Sequence, residues 1–324
     1  REITAKQNAK QMNIPYEKRT YIEVMDDLID SGVEAYPNTF PIKFAEKNGL
    51  TLDEKKIYPL GTISNSTTIF GMRGYYPIIE TDEHGFNNSK GLYNKNKVDI
   101  ILTGGSFIEG YSVYQNENIS AVLRQLGFNA ISVGKGGNGT LLALASLKEY
   151  AEPLEPKIVL WVHFEDDLVA LNREMQSSIL RKYLYEDDYS QNLFSRQEEI
   201  DDVLINYIQV EWAKEREIQR SERESVANKS VIRISKLYNL RKRINLIPAP
   251  IFTPKPIFRD ILQKSKQMVS NWNGKMYFVY LPVFERYSTG NEHPNRNFVM
   301  QSATELDIPI IDIHEEVFDP HSDP

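Results

Sequence analysis

The chain has 324 residues, 41% of them apolar and 11% aromatic, which is enough for a large core in one large domain with additions or in two small domains. Lys and Arg number 38 against 45 Asp and Glu, and the net charge of −7 argues against a nucleic-acid-binding surface. The absence of cysteine excludes disulfides and thiolate chemistry, and no run approaches the ~20 apolar residues needed to cross a bilayer. Because the chain starts at Arg1 rather than Met, we expect a preceding segment that could have held a signal or a membrane anchor.

The first 96 residues predict an N-terminal extension made of a helix and a β-hairpin region. Residues 1–34 carry apolar positions at helical spacing, most clearly in "YIEVMDDLIDSG", and Gly32 is the predicted stop. From about 57 to 96 the chain is rich in Gly, Thr, Tyr and Ile with turn residues between them, which favours a small β-hairpin region ending in "DEHGFNNSKG".

Residues 97–324 predict an α/β domain with a three-layer, open parallel sheet of the flavodoxin-like kind. Apolar runs alternate with helical segments of about ten residues, the pattern of βαβ units whose sheet is covered on both faces. Five runs predict the strands: "VDIILT", "NAISV", "KIVLWVHF", "KMYFVYL" and "IPIIDI". The segments "NISAVLRQLG" and "GTLLALASLKEYAE" predict the helices that join the first three strands.

A large helical insertion at about 168–250 is predicted between the third and fourth strands. Residues 157–247 contain no Gly or Pro, and beyond the strand they are rich in Glu, Arg, Lys, Gln and Leu, which favours several long helices. The insertion is a candidate surface for a protein partner. Its basic end, "KLYNLRKRINLI", is either a contact for a membrane or anionic polymer or, as we favour, a solvated helical face.

Three strand ends bring polar and glycine residues to one rim of the predicted sheet, where parallel sheets bind their ligands. The first strand ends at Gly104-Gly105 and delivers Ser106, which is either a nucleophile at a strand-to-helix turn or a helix cap. The second runs into "SVGKGGNGT", whose bare backbone amides suit an oxyanion hole. The third runs into "HFEDDL" and delivers Glu165, Asp166 and Asp167.

This order of parts resembles the SGNH (GDSL-like) hydrolase superfamily over residues 98–168 and the last strand. The family block Gly-Asp-Ser-x-x-x-Gly reads Gly104 to Gly110 here, with Ser106 at the nucleophile position. Gly137 matches the oxyanion-hole glycine of the second block, and Asp166 stands where the third block has asparagine. "DEHGFNN" resembles the Asp-x-x-Gly-Phe-x-Asn element of extracytoplasmic members.

The resemblance implies a serine-dependent esterase or O-acetyltransferase of the bacterial periplasm or cell envelope, acting on a carbohydrate or other acyl ester without a cofactor. Two departures bear on this activity. Gly105 replaces the aspartate that braces the nucleophile loop, and an ionised Asp166 would repel an oxyanion. Asn138 is a candidate replacement donor. The residues expected to contact the substrate are Gly105, Asn138, Glu165 and Asp167.

The general base has two candidate sources, because the family's Asp-x-x-His does not occur here. Either His321 serves, oriented by Asp319 or Asp323, or, as we favour, the base follows Pro324. No metal is predicted, because strand alternation places His163 and Asp166 on opposite faces.

Two other functions are compatible with the sequence. One is a catalytically inactive member of the family that binds glycan or scaffolds a polysaccharide-assembly complex, and it accounts for both departures. The other is phosphate binding at the glycine loop, which lacks the Gly-Lys-Ser/Thr ending of a P-loop.

Overall fold

The computed structural model describes residues 16–52, 54–71, 74–164, 167–224, 256–283, 286–287, 290 and 292–321. Two compact units are distinguished, one formed by residues up to 205 together with those from 254, and the other by residues 206–253. Some of the predictions concern residues outside the described ranges. These are the helical start at residues 1–15, the acidic residues Glu165 and Asp166, and the basic segment 236–247.

A five-stranded parallel sheet forms the centre of the first unit, as the apolar runs predict. Four short strands precede it in the chain: β1 (Leu50–Leu52), β2 (Lys55–Ile57), β3 (Thr67–Ile69) and β4 (Ile78–Glu80). The sheet itself contains β5 (Ile100–Thr103), β6 (Ala130–Ser132), β7 (Ile158–Phe164), β8 (Lys275–Leu281) and β9 (Ile310–Asp312). Its order is β6-β5-β7-β8-β9, so β5 and β7 lie side by side and their carboxyl ends meet.

Helices pack on the sheet. The helices in chain order are α1 (Tyr21–Asp30), α2 (Ser106–Glu109), α3 (Ile119–Gln125), α4 (Thr140–Ser146), α5 (Asp167–Glu174), α6 (Ser178–Tyr185), α7 (Gln197–Glu224), α8 (Ile257–Asn271) and α9 (Arg296–Glu305). Helix α8 contacts α4, α6 and α9, and its Phe258 packs against His163 of β7. On the opposite face, Ile100, Leu102 and Val162 form an apolar cluster with Ile108 of α2. The described residues contain no helix with the length and apolar content of a membrane span.

Of the predicted helical span of residues 1–34, the described part from residue 16 contains the helix α1. It begins after Thr20 because the Thr20 hydroxyl accepts the Glu23 amide while the Glu23 carboxylate accepts the Thr20 amide, which is a capping box. It ends at Asp30, two residues before the predicted stop at Gly32, which has a φ of +85°. The predicted hairpin region holds one antiparallel pair, β3 with β4, and β1 pairs with β2 just before it.

The helices that follow β7 also differ from the prediction of several long ones. Helices α5 and α6 have eight residues each, and only α7, with 28, is long among the described residues. Helix α6 starts where the Ser177 side chain accepts the Leu180 amide. Local capping therefore divides a stretch that contains neither Gly nor Pro.

Candidate active site at the carboxyl end of β5

The turn after β5 places Ser106 at the start of a helix. Gly104 has a φ of +150°, and a Cβ atom there would lie 2.5 Å from the Val162 carbonyl oxygen, so only glycine fits this position. Ser106 is the first residue of α2 and is partly exposed. Its hydroxyl makes no hydrogen bond to a described residue. The side chain is therefore available for chemistry rather than used as a cap.

The glycine loop between β6 and α4 lies beside this turn. Gly137 is exposed and has a φ of +77°, a left-handed conformation that favours glycine. Within the described part of the chain, the backbone amides of Ser106 and Gly137 have no hydrogen-bond acceptor. Backbone amides without an acceptor are the type of donor that an oxyanion requires.

Asn138 is buried next to Gly137, and its side chain has no partner. It is 1% exposed, and neither its amide nitrogen nor its amide oxygen is hydrogen bonded within the described residues. Its backbone oxygen is 3.5 Å from the position that a Cβ atom on Gly105 would occupy. An unpaired buried amide costs about 1–3 kcal/mol, which makes Asn138 unusual among the polar residues near Gly105.

Asp167 lies beside the Ser106 turn and is the first residue of α5. Its Oδ1 is 3.3 Å from the Cβ position of residue 105, and its Oδ2 accepts the Phe164 amide at 2.9 Å. The carboxylate therefore lies where a side chain at position 105 would begin. Asp167 is the one of the three predicted acidic residues that the structure describes, and it is next to the turn as predicted.

The His163 side chain lies on the face of the sheet that is covered by α8, opposite the face that packs against α2. It is 1% exposed, and its ring lies 5.6 Å from the Phe278 ring and 5.5 Å from the Phe258 ring. Burial lowers the pKa of His163 to about 3, so the ring is neutral at ordinary pH. Its Nδ1 is 3.9 Å from Asp167 Oδ2, which is too long for a hydrogen bond. No cluster of three potential metal ligands occurs in the described ranges.

The two predicted base residues lie in the segment after β9. Residues 314–318 form a π-helical turn, and the amides of Asp319 and His321 donate to the carbonyls of His314 and Phe318. Asp319 lines a cleft of about 230 Å³ together with His314, whose Nδ1 is 2.9 Å from the Tyr287 hydroxyl. Because Ser106 Oγ has no partner among the described residues, neither Asp319 nor His321 is hydrogen bonded to it.

The free backbone amides at the start of α4 are bonded to a carboxylate that the sequence did not reveal. Glu174 is fully buried and accepts the amides of Gly139, Leu141 and Leu142 at 2.7–3.3 Å. Burial raises the pKa of Glu174 to about 7, although these hydrogen bonds lower it. Since these amides are used, the glycine loop does not offer them to a phosphate, which counts against the phosphate-binding hypothesis.

The element "DEHGFNN" fixes the edge of the sheet. Asp82 is buried and accepts the amides of His84 and Phe86 and the side chains of Asn88 and Tyr93. Asn88 bonds both the amide and the carbonyl of Ser132 in β6, each at 2.8 Å. The extension is thus joined to the strand that leads into the glycine loop.

A buried ion pair under the site was also missed by the sequence analysis. Glu109 and Lys135 are each 1% exposed and pair with one another, and Asn38 bonds to both. The only signal for it was a lysine within the otherwise small-residue loop "GKGGNG".

Compared with protein-family models, the chain matches none, and a search of curated proteins gives no match.

Proposed function

We propose that this chain is a serine-dependent ester hydrolase or O-acyltransferase of the SGNH type, with Ser106 as nucleophile. The observation that carries the proposal is the partly exposed Ser106 hydroxyl, which has no partner among the described residues and follows the carboxyl end of β5. The open amides of Ser106 and Gly137 and the unpaired side chain of Asn138 lie around the same turn. A carbohydrate ester of the cell envelope is the proposed substrate class, on the strength of the family resemblance.

The proposed reaction proceeds in two steps. Ser106 Oγ bonds to the ester carbonyl carbon, its proton passes to the general base, and the carbonyl electrons move onto the oxygen. The amides of Ser106 and Gly137 hold this oxyanion, with Asn138 Nδ2 as the third donor. Collapse breaks the bond to the leaving oxygen, which takes the proton back from the base and departs as the alcohol, leaving an acyl-Ser106. Water or an acceptor hydroxyl then gives its proton to the base and attacks the acyl carbon, and the bond to Ser106 Oγ breaks as the base returns the proton to Oγ.

Among the described residues, no side chain that could act as general base is hydrogen bonded to Ser106 Oγ. If His321 is the base, the segment after β9 must approach Ser106, and His321→Asn should slow acylation at least about 100-fold. If the base follows Pro324, His321→Asn should leave acylation unchanged. His163 is not proposed as the base, because its ring is buried between Phe258 and Phe278.

The test of the proposal is hydrolysis of a simple acetyl ester by the full-length protein. Ser106→Ala should lower the rate by at least about 10³-fold. Ser112→Ala, which alters an exposed serine six residues later, should not change it. Equal rates for the wild type and Ser106→Ala would contradict the proposed mechanism.

A second candidate function is binding or scaffolding without turnover, and Asp167 favours it. The Asp167 carboxylate lies beside Gly105, so its negative charge is close to the place where an oxyanion would form. If this function is correct, Asp167→Asn will not create activity, whereas an enzyme impaired by the charge should gain activity from the same change.

A further inference from the structure

The carboxylate of Glu109 connects the Ser106 turn to the glycine loop. Glu109 is the third residue after Ser106 in α2, and its own amide donates to the Gly105 carbonyl at 3.2 Å. Its Oε2 accepts the Gly136 amide at 2.7 Å, one residue before Gly137. One buried side chain therefore links the two segments that carry the nucleophile and the oxyanion-hole amide.

The opposite oxygen of the same carboxylate is held by two further side chains. Glu109 Oε1 accepts Lys135 Nζ and, at 2.9 Å, Asn38 Nδ2. Lys135 Nζ also donates to Asn38 Oδ1 at 2.6 Å and lies 5.6 Å from the centre of the Phe70 ring. Each charge is thus paired inside the protein, which is the condition for burying it without a large penalty.

The N-terminal extension also packs against the glycine loop. A Cβ atom on Gly136 would lie 2.7 Å from the Phe40 ring, and one on Gly137 would lie 2.9 Å from Ile42. The loop is therefore in close contact with both Glu109 and residues 40–42. Buried ion pairs are often replaceable by apolar side chains without loss of stability, and in some proteins they specify one geometry instead.

We propose that Glu109, Lys135 and Asn38 are positioning residues that set the distance between Ser106 and the Gly136-Gly137 amides. The catalytic meaning of this proposal rests on the proposed function, whereas the structural coupling of the two segments does not. None of the three residues touches the substrate. They act through the Ser106 turn and the glycine loop.

The first test measures the rate at which a fluorophosphonate probe labels Ser106. Lys135→Met leaves the Glu109 charge buried without its cation and should slow labelling about 10- to 100-fold, because small displacements of reacting groups cost that much. Adding Glu109→Gln removes the unpaired charge and keeps an acceptor for the Gly136 amide, so the double variant should recover to within about 10-fold of the wild type. Double-mutant recovery is expected only for residues that act together.

Glu149→Gln is the matched control for a merely structural effect. Glu149 is equally buried and accepts the amides of Gln191 and Leu193, yet it belongs to the turn Leu147–Ala151 that follows α4. The Glu149→Gln variant should have a lower free energy of unfolding than the wild type, but its Ser106 should be labelled at the same rate. Slowing by Glu149→Gln equal to that by Lys135→Met would overturn the proposal.

Amide hydrogen exchange tests the coupling even if Ser106 does not react. Lys135→Met should accelerate exchange at least about 10-fold both in residues 104–111 and in residues 134–139, while Glu149→Gln accelerates neither. Asn38→Ala removes hydrogen bonds but no charge, so it should accelerate exchange in the same two segments by a smaller factor. If Lys135→Met does not fold, Asn38→Ala is the variant that tests the coupling. Acceleration in only one segment, or in neither, would overturn the proposal, whereas an unreactive wild-type Ser106 would count against the proposed function alone.

Discussion

The surroundings of His163 determine the protonation state of its ring. A histidine two residues before a cluster of carboxylates resembles a catalytic or metal-binding residue in the sequence. In the structure its ring lies between Phe258 and Phe278, and this burial disfavours the charged form. The neighbouring Asp167 instead serves the backbone of Phe164 and the space beside Gly105.

Replacing His163 by Phe should change how stability depends on pH. The pKa of His163 is lowered from 6.5 to about 3, so between these values the unfolded chain binds more protons than the folded protein. The wild type therefore loses stability as the pH falls below 6.5, by about 2 kcal/mol at pH 5. Denaturant unfolding at pH 7.5 and 5 should show His163→Phe gaining by that amount relative to the wild type. Parallel pH profiles would contradict this account.

The start of helix α4 is held by a side chain from another helix. Its first amides are satisfied by Glu174 from α5, which replaces the usual local cap with a contact between two helices. Since Thr140 makes no side-chain cap, the position of α4 and of the glycine loop before it depends on this carboxylate. The carboxyl group is buried, which raises its pKa to about 7.

Glu174→Gln should remove a pH dependence of the opposite sign to that of His163. Because the folded protein binds more protons than the unfolded chain between pH 4.5 and about 7, the wild type loses stability as the pH rises through this range. The loss is about 3 kcal/mol when complete. Glu174→Gln should therefore gain stability relative to the wild type between pH 5 and 7.5, measured by denaturant unfolding. A difference that does not change with pH would show that Glu174 titrates normally.

At the scale of the whole molecule, the N-terminal extension is part of the structure around the site. Asn88 completes the edge strand β6, Asn38 joins the buried ion pair, and Phe40 packs on the glycine loop. Removing these residues would expose the buried Glu109 and Lys135 to water and remove their hydrogen bonds to Asn38. The extension and the sheet are therefore expected to fold together.

A fragment of residues 97–324 should not fold independently. Its unfolding by denaturant should be non-cooperative, or occur at a much lower denaturant concentration than that of the complete chain. The full chain, unfolded under the same conditions, is the reference. A fragment with the cooperativity and midpoint of the full chain would contradict the joint folding of the two parts.

The sequence predicts the sheet well and the surroundings of the site poorly, for a physical reason. The strands and the Ser106 turn have local signals, since apolar runs and glycines mark where each strand ends. The buried pair has only one weak signal, the lysine in the glycine loop, because residues 38, 109 and 135 meet only after three separate segments fold together. Glu174 likewise lies in a polar stretch where nothing distinguishes it from the solvent-exposed glutamates near it.

The proposed function requires Ser106 to be an activated nucleophile. Labelling of the full-length protein with a fluorophosphonate probe, followed by mass spectrometry of the modified peptide, tests it most directly. We predict an adduct on Ser106 that is absent from Ser106→Ala and unchanged in Ser112→Ala. A folded wild-type protein that gives no adduct, or an adduct that persists in Ser106→Ala, would contradict the claim and favour the binding or scaffolding function.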